Sequence, residues 1–151
     1  MANTQAMCTS FKGELLTATH NFGTAPIRAA TTADTFKAAL YLASATVNAS
    51  TTAYSSTGEV TGTNYTAGGV NVTNATAPAT SGTTAYWTPS ASIVYTNVTL
   101  STAFDAVLIY NSSQSNKSVS VHTFGSQTVT AGTFTLTMPT NDASTGLIRI
   151  A

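Results

Sequence analysis

The side chains of this sequence that could take part in acid–base or nucleophilic chemistry are few. The imidazoles are His20 and His122, the carboxylates are Glu14, Asp34, Glu59, Asp105 and Asp142, and the thiol is Cys8. A Ser–His–Asp set is defined by geometry and not by order along the chain. Asp105 and His122 fall on neighbouring strands of a predicted hairpin, with serines close by. No G-x-S-x-G segment is present to expose a nucleophilic serine, so we interpret this pair as structural.

Motifs of metal and cofactor sites are also missing from the sequence. It has no C-x-x-C, no H-E-x-x-H and no loop of alternating carboxylates. Cys8 lies beside an apolar helical stripe, which predicts a small buried hydrophobe. The glycine pair Gly68–Gly69 in "NYTAGGVNVTN" is followed by a strand pattern without lysine, unlike a phosphate-binding loop. The pair predicts a bend or bulge in a sheet, and we expect no cofactor and no metal.

The composition favours a β protein with an uncharged surface. Charged residues make up 7% of the 151 residues and the formal net charge is zero. Threonine accounts for about a fifth of the chain, far above average usage, and its branched side chain suits the half-exposed face of a strand. Five basic residues without a patch argue against strong binding of nucleic acid.

Targeting and cross-linking signals are lacking as well. One cysteine leaves no internal disulfide. The sequence shows no secretory signal and no apolar run of about 18 residues that could span a bilayer. We therefore expect no membrane partner.

Three residues are candidates for contact with a partner. Arg28 lies in the run of residues 23–33, which predicts an exposed loop. Tyr86 and Trp87 lie in "AYWTPSAS", where a proline places the segment at a strand start or in a loop. Trp87 fits a core position because large aromatic side chains dominate core burial. An interface role remains open for it, because exposed aromatic residues anchor partners.

The N-terminal stretch, residues 1–20, carries a helical pattern. Met7, Phe11 and Leu15 recur at every fourth position and share one face. Asn3 is a candidate N-cap. We predict that this helix closes one side of the domain, because an exposed apolar stripe would favour unwanted association.

The rest of the chain reads as short strands separated by turns. "DTFKAALYLAS" alternates, "TAFDAVLIYNS" is apolar throughout and predicts a central strand, and "KSVSVHTFGS" follows it across the polar turn "NSSQSN" as a hairpin. "SGTTAYWTPSASIVYTNVTL", "GTFTLTMP" and "GLIRIA" supply further strands. The spacing predicts a mainly β fold: an antiparallel β-sandwich, residues 34–151, with the N-terminal α-helix packed on it in a single domain.

Four stretches carry a resemblance to a known family: "TQAMCTSFKGELLTATHNF", "DTFKAALYLASATVNASTTAYSSTGEVTGTNYTAGG", "DAVLIYNSSQSNKSVSVHTFG" and "GLIRIA". Together they resemble a family of small virion structural proteins of tailed bacteriophages, common among aquatic phages such as cyanophages. The resemblance covers most of the chain in the same order. It implies a non-enzymatic particle protein that is present in many copies.

The resemblance and the composition together favour a capsid decoration or cement protein. Such a protein binds across major capsid protein subunits on the outer surface of the head, and we expect a homo-oligomer, a trimer at local three-fold positions. Repeated apolar and backbone contacts would supply the affinity.

Two other functions remain open at this stage. A tail or head fibre component that contacts the host surface predicts Tyr86, Trp87 and Tyr95 exposed together. A small hydrolase of cell-wall glycans would need two carboxylates flanking a cleft, which five scattered acids offer little support for.

Overall fold

Strands make up most of the regular structure. The structure, a computed structural model, describes residues 3–16, 19–20, 22–23 and 33–151. Its elements in chain order are β1 (Ala6–Met7), α1 (Thr9–Leu16), β2 (Phe36–Leu42), β3 (Val70–Asn71), β4 (Ala79–Ser81), β5 (Thr84–Trp87), β6 (Ile93–Asn111), β7 (Lys117–Leu136) and β8 (Ile148–Ile150).

The strands form two antiparallel sheets. The larger sheet has the order β1-β7-β6-β2-β3 and the smaller one the order β4-β5-β8. The mainly β fold class predicted from the sequence is confirmed, with the two sheets in a sandwich-like arrangement. β6 lies between β7 and β2, so the apolar run "AVLIY" is central and buried on both faces, as predicted.

The long β6–β7 ribbon folds back on itself. We call residues 93–100 and 129–136 its far half, and residues 104–111 and 117–127 its near half. Tyr95, in the far half, donates from its hydroxyl to the Ala38 carbonyl at 2.8 Å, yet Ala38 pairs with Ile109 in the near half. Along a straight strand at about 3.3 Å per residue, Tyr95 and Ile109 would lie more than about 40 Å apart. The far half therefore packs over the sheet as a second layer.

Aromatic side chains fill the inside of this fold-back. The rings of Phe104 and Phe134 meet edge to face at 5.0 Å, and Phe124 lies 5.4 Å from Phe134. Tyr95 joins them at 6.1 Å from Phe134. Register shifts between β6 and β7 on either side of Phe104 supply the local irregularity that lets the ribbon bend.

The N-terminal segment differs from the predicted helix of residues 1–20. The helix spans only Thr9–Leu16, and Ala6–Met7 forms a strand beside β7. Asn3 is not an N-cap. Its amide donates to the Leu42 carbonyl and to Asp105, and its oxygen accepts from the Val47 amide. The backbone before Thr9 is extended and not helical. These long-range hydrogen bonds outweigh the weak propensity of a short helix that contains a glycine.

The apolar stripe of this segment nevertheless packs as predicted. Phe11 and Cys8 are fully buried, and Met7 and Leu15 pack against the core with partial exposure. The segment therefore covers part of its own domain.

Two strand predictions need correction in detail. "KSVSVHTFGS" and "GTFTLTMP" were predicted as separate strands but belong to the single strand β7. Strict alternation along "SIVYTNVTL" would place Asn97 on one face with Ile93 and Tyr95, and Val98 on the opposite face with Val94 and Thr96. Instead Val98 is buried and Asn97 is exposed with a φ of +52°, because a register shift at this point moves the following side chain inward.

The glycine pair lies in a turn that leads into β3. Both glycines have positive φ, +87° at Gly68 and +71° at Gly69. A Cβ at residue 69 would lie 1.7 Å from the Ala38 carbonyl oxygen. The pair therefore permits a close approach of this turn to β2, so the predicted bend is found at the edge of the sheet and not within a strand.

Candidate functional site

Glu59 lies at the centre of a buried cluster of tyrosines. Its carboxylate accepts from the Tyr54 hydroxyl at 2.6 Å, the Tyr65 hydroxyl at 2.8 Å and the Gly68 amide at 2.8 Å. Tyr110, stacked on Tyr54 at 4.8 Å, donates to the Gly68 carbonyl. Glu59 is 6% exposed, so three donors compensate the carboxylate for the water it has lost.

The tyrosines of this cluster stay protonated and act as donors. Burial raises the pKa of Tyr41 to about 12 and that of Tyr110 to about 12, and the charge of Glu59 adds to both shifts. Burial and the charge of Glu59 also raise the pKa of Tyr54, Tyr65 and Tyr95, and these shifts are larger than those of Tyr41 and Tyr110. The cluster is thus suited to holding loops against the sheet and not to accepting protons.

A second buried network surrounds Asp34. Its carboxylate accepts from the side-chain amide of Asn111 at 2.8 Å and from that of Gln114 at 3.2 Å. The same Asn111 nitrogen lies 3.1 Å from Nδ1 of His20. His20 meets the ring of Phe11 edge-on at 4.8 Å. This network ties residues near the N-terminus to the turn of the β6–β7 hairpin.

Asp105 and His122 make their hydrogen bonds to other residues and not to each other. The Asp105 carboxylate accepts from Asn3 at 2.5 Å, and Nε2 of His122 lies 2.9 Å from the Ser120 hydroxyl oxygen. Burial alone lowers the pKa of His122 to about 4. A carboxylate in contact would favour the imidazolium and oppose that shift. Within the described residues no hydrogen bond or ion pair joins the two.

The described residues also bear on metal binding and on membrane-spanning segments. Among them, no group of three or more His, Cys, Asp or Glu side chains lies close enough to hold a metal ion. Cys8 is buried, and its sulfur lies 3.9 Å from the Asn48 carbonyl oxygen. No helix formed by the described part of the chain has the length and apolar character needed to cross a membrane.

The three candidate interface residues have different surroundings. Trp87 is 2% exposed and packs on Phe22 at 4.7 Å, and its indole donates to the Thr76 carbonyl at 2.8 Å. In the isolated chain it is a core residue. Tyr86, next to it on β5, is partly exposed. Arg28 lies outside the described residues.

Tyr86 borders an apolar cleft between α1 and the small sheet. The cleft has a volume of about 150 Å³. Phe11 and Leu15 lie on one side of it and Ile148 and Ile150 on the other. Ile150 is 45% exposed, which is high for a large apolar side chain. The cleft and Ile150 form a continuous apolar surface, and we call it the Tyr86 surface.

The aromatic surface expected of a host-contacting fibre is not present. Tyr86, Trp87 and Tyr95 were expected to be exposed together, but Trp87 and Tyr95 are each 2% exposed. That expectation is wrong because both rings complete the core, Trp87 between the sheets and Tyr95 under the fold-back of the ribbon.

The outer face of the far half of the ribbon is polar and uncharged. Apart from Ala131, its exposed side chains on and just after β7 are threonines: Thr130, Thr133, Thr135 and Thr137. Val94, 42% exposed, is the large apolar residue on the same face. This surface can contact a partner through hydroxyl and backbone groups but offers it no charge.

Sequence reasoning did not find the roles of Glu59 and Asn111. The partners of Asn111 lie far away along the chain, 91 positions in the contact with His20. A local clue existed for Glu59, because Tyr54 and Tyr65 flank it closely in a chain of few charges, but nothing local shows that these rings converge.

Comparison with known proteins gives no match to any family model, curated protein or solved structure.

Proposed function

We propose that this chain is a non-enzymatic structural protein of a bacteriophage particle, a capsid decoration protein on the outer surface of the head. It binds across neighbouring major capsid protein subunits and stabilises the shell. The proposal has two supports: the resemblance of four sequence stretches to virion structural proteins, and the arrangement of the ionisable groups. Nucleic acid, membrane and cofactors have no part in it.

One observation carries the proposal. The buried ionisable side chains hold the fold together: Glu59 binds the tyrosine cluster, Asp34 and His20 join one network around Asn111, and His122 bonds Ser120. The outer face of the far half of the ribbon is rich in threonine and carries no charged side chain. A protein with this distribution interacts through its shape, its backbone and a small apolar surface, which are the contacts that a shell of many copies repeats.

The Tyr86 surface is the proposed contact with the capsid protein. An apolar cleft bordered by an aromatic residue is the kind of centre around which binding energy concentrates. Arg28, which lies outside the described residues, is also a proposed contact residue. The protein acts as a homo-oligomer, a trimer, which places several copies of the surface on the shell at once and multiplies a modest affinity.

Cryo-electron microscopy of the intact particle tests the proposal. We expect density for the β6–β7 ribbon on the outside of the head, at seams between capsid subunits, with Tyr86 and Ile150 turned toward the shell. Density for the chain on the tail alone would contradict the decoration role and support the fibre alternative. Particles from which the gene is deleted provide the control map, because the assigned density must disappear from them.

A further inference from the structure

A groove runs between β7, the far half of the ribbon and the C-terminal strand. It consists of two adjoining compartments of about 300 and 320 Å³ that share Gln5, His122 and Leu147. Together they fall within the size range of small-molecule sites, about 300–1,000 Å³. We call it the His122 groove. It adjoins the Tyr86 surface at Ile148, which lines both, while the other lining residues of the two sites differ.

The two compartments differ in chemistry. Half of the residues that line the inner one are aliphatic or methionine: Ile93, Val107, Ile109, Leu136, Met138 and Leu147. The others are Phe124, three threonines, Gln5 and His122, so this compartment is the more apolar and holds no charged residue. The outer one combines the polar residues Gln5, Ser120, His122 and Arg149 with the apolar residues Ala6, Met7, Val121, Leu147 and Ile148. A ligand that fills both therefore needs an apolar part for the inner compartment and a polar head for the outer one.

The charge of the outer compartment is positive. Arg149 is the charged residue among its lining residues. From Nη1 its guanidinium donates to the carbonyls of Ala143 and Ser144, which holds the group in place while a guanidinium has further donors on Nε and Nη2. The Asp142 carboxylate of the same loop accepts from Ser144 and Thr145 instead. The groove thus favours an anionic head group.

His122 separates the two compartments as a neutral group. Burial lowers its pKa to about 4, so the imidazole carries no charge at neutral pH and does not repel an apolar chain that passes it. Its Nε2 is held by the Ser120 hydroxyl at 2.9 Å.

We propose that the His122 groove binds a small amphipathic anion, with its alkyl chain in the inner compartment and its acidic head at Arg149. The driving force for the chain is removal of water from an aliphatic surface where water finds few hydrogen-bond partners. The head adds selectivity for anions through charge-assisted hydrogen bonds. The proposal does not depend on the virion role, because it rests on the groove alone.

Two probes with the same alkyl chain separate the contribution of the chain from that of the acidic head. They are 1-octanesulfonate, which stays anionic, and 1-octanol, which is neutral. Binding to the full-length protein at pH 7 is measured by calorimetry and by backbone amide shifts in NMR spectra. We expect octanesulfonate to bind at least 10-fold more tightly than octanol, with shifts centred on residues 120–124 and 147–149.

Three variants locate the site. Arg149→Gln should weaken octanesulfonate at least 10-fold and change octanol less than 2-fold. Thr137→Trp, at the exposed rim of the inner compartment, should weaken both probes at least 10-fold. Thr130→Trp is the control, because Thr130 is also exposed but does not line the groove, and it should leave the affinity for both probes unchanged. Unchanged melting temperatures confirm that all three variants fold. Absence of saturable binding, or an unchanged octanesulfonate affinity in Arg149→Gln or Thr137→Trp, would overturn the proposal.

Discussion

Glu59 holds three groups of the segment 54–68 together through one carboxylate. It accepts from Tyr54 and Tyr65 on two different loop segments and from the Gly68 amide in the turn before β3. A buried acceptor with several donors is costly to remove, because each donor then loses its partner without regaining water.

We expect Glu59→Gln to lower the free energy of unfolding by about 2–4 kcal/mol. The amide keeps one acceptor oxygen but presents an NH₂ group to a hydroxyl donor. Urea denaturation followed by tyrosine fluorescence measures the loss. Tyr54→Phe, which removes one donor and leaves the carboxylate with its other partners, is the matched comparison at about 1 kcal/mol. A loss for Glu59→Gln no larger than that of Tyr54→Phe would show that the network is not cooperative.

His122 makes stability depend on pH in a defined window. Its pKa falls from 6.5 to about 4 on folding because the imidazole is buried. Below pH 6.5 the His122 imidazole binds a proton in the unfolded chain but not in the folded chain. The stabilising contribution is therefore complete above pH 6.5, is lost progressively as the pH falls toward 4, and amounts to about 3 kcal/mol over that range.

The comparison of wild type with His122→Gln isolates this effect from the other titrating groups. The difference in unfolding free energy between the two proteins should shift in favour of the variant by about 2–3 kcal/mol between pH 7 and pH 4.5. Urea titrations at four pH values give the slope. Parallel curves for the two proteins would contradict a buried neutral imidazole.

At the scale of elements, the turn at Gly68–Gly69 has the most stringent geometry. Gly69 has a φ of +71°, and a Cβ there would lie 1.7 Å from a backbone oxygen of β2. Backbone cannot yield as a flexible side chain can, so Gly69→Ala must displace the turn and the Glu59 contact beside it.

We expect Gly69→Ala to cost more than about 3 kcal/mol or to prevent folding. Gly125→Ala is the matched control: a Cβ at residue 125 meets nothing within 4 Å, and alanine suits a strand better than glycine, so its effect should stay within about 1 kcal/mol. Thermal denaturation of both variants measures the two losses of stability. Equal melting temperatures would show that the turn is not constrained as the structure indicates.

The N-terminal segment is a second element with a clear test. It contributes β1, the buried Phe11 and the three side-chain hydrogen bonds of Asn3. A chain that begins at residue 17 should fail to fold cooperatively, because Phe11 alone accounts for about 3–5 kcal/mol of packing and typical domains have only about 5–15 kcal/mol in total. A soluble truncated protein with a sharp melting transition would contradict this.

Features that depend on residues close together along the chain could be predicted from the sequence, and features that depend on distant residues could not. β2, the central strand and the hairpin turn were predictable because alternation and polar turn residues are local signals. The helix was predicted too long because Met7, Phe11 and Leu15 have helical spacing, while the hydrogen bonds of Asn3 that keep the start extended reach across the chain. The fold-back of the ribbon depends on rings nine positions apart on β6 and ten positions apart on β7, and no local pattern encodes it. For the candidate site, the sequence indicated Tyr86 but could not separate its half-exposed position from the buried one of Trp87.

At the scale of the whole molecule, the distribution of exposed apolar residues bears on function. Ile150 is 45% exposed and Val94 42% exposed, and they lie on the small sheet and on the far half of the ribbon respectively. They resemble each other in size and exposure, so they form a natural pair for testing which side of the molecule faces the capsid.

Ile150→Asp should weaken binding to heads that lack the protein by at least 10-fold, since a charge at the centre of an apolar contact remains without a partner. Val94→Asp should bind as wild type does, because it lies away from the Tyr86 surface. Co-sedimentation with purified heads measures both. A selective defect in Val94→Asp would instead place the contact on the ribbon and overturn the assignment of the Tyr86 surface.

The pairing of β1 with β7 also constrains the order of events during synthesis. Ala6 pairs with Val121, so β1 leaves the ribosome more than 100 residues before the strand that receives it. The pairing of β1 and the packing of α1 on β7 cannot form until β7 has been made, a delay that distant strand pairing imposes in general. The segment of residues 3–16 is therefore translated early but reaches its final contacts late.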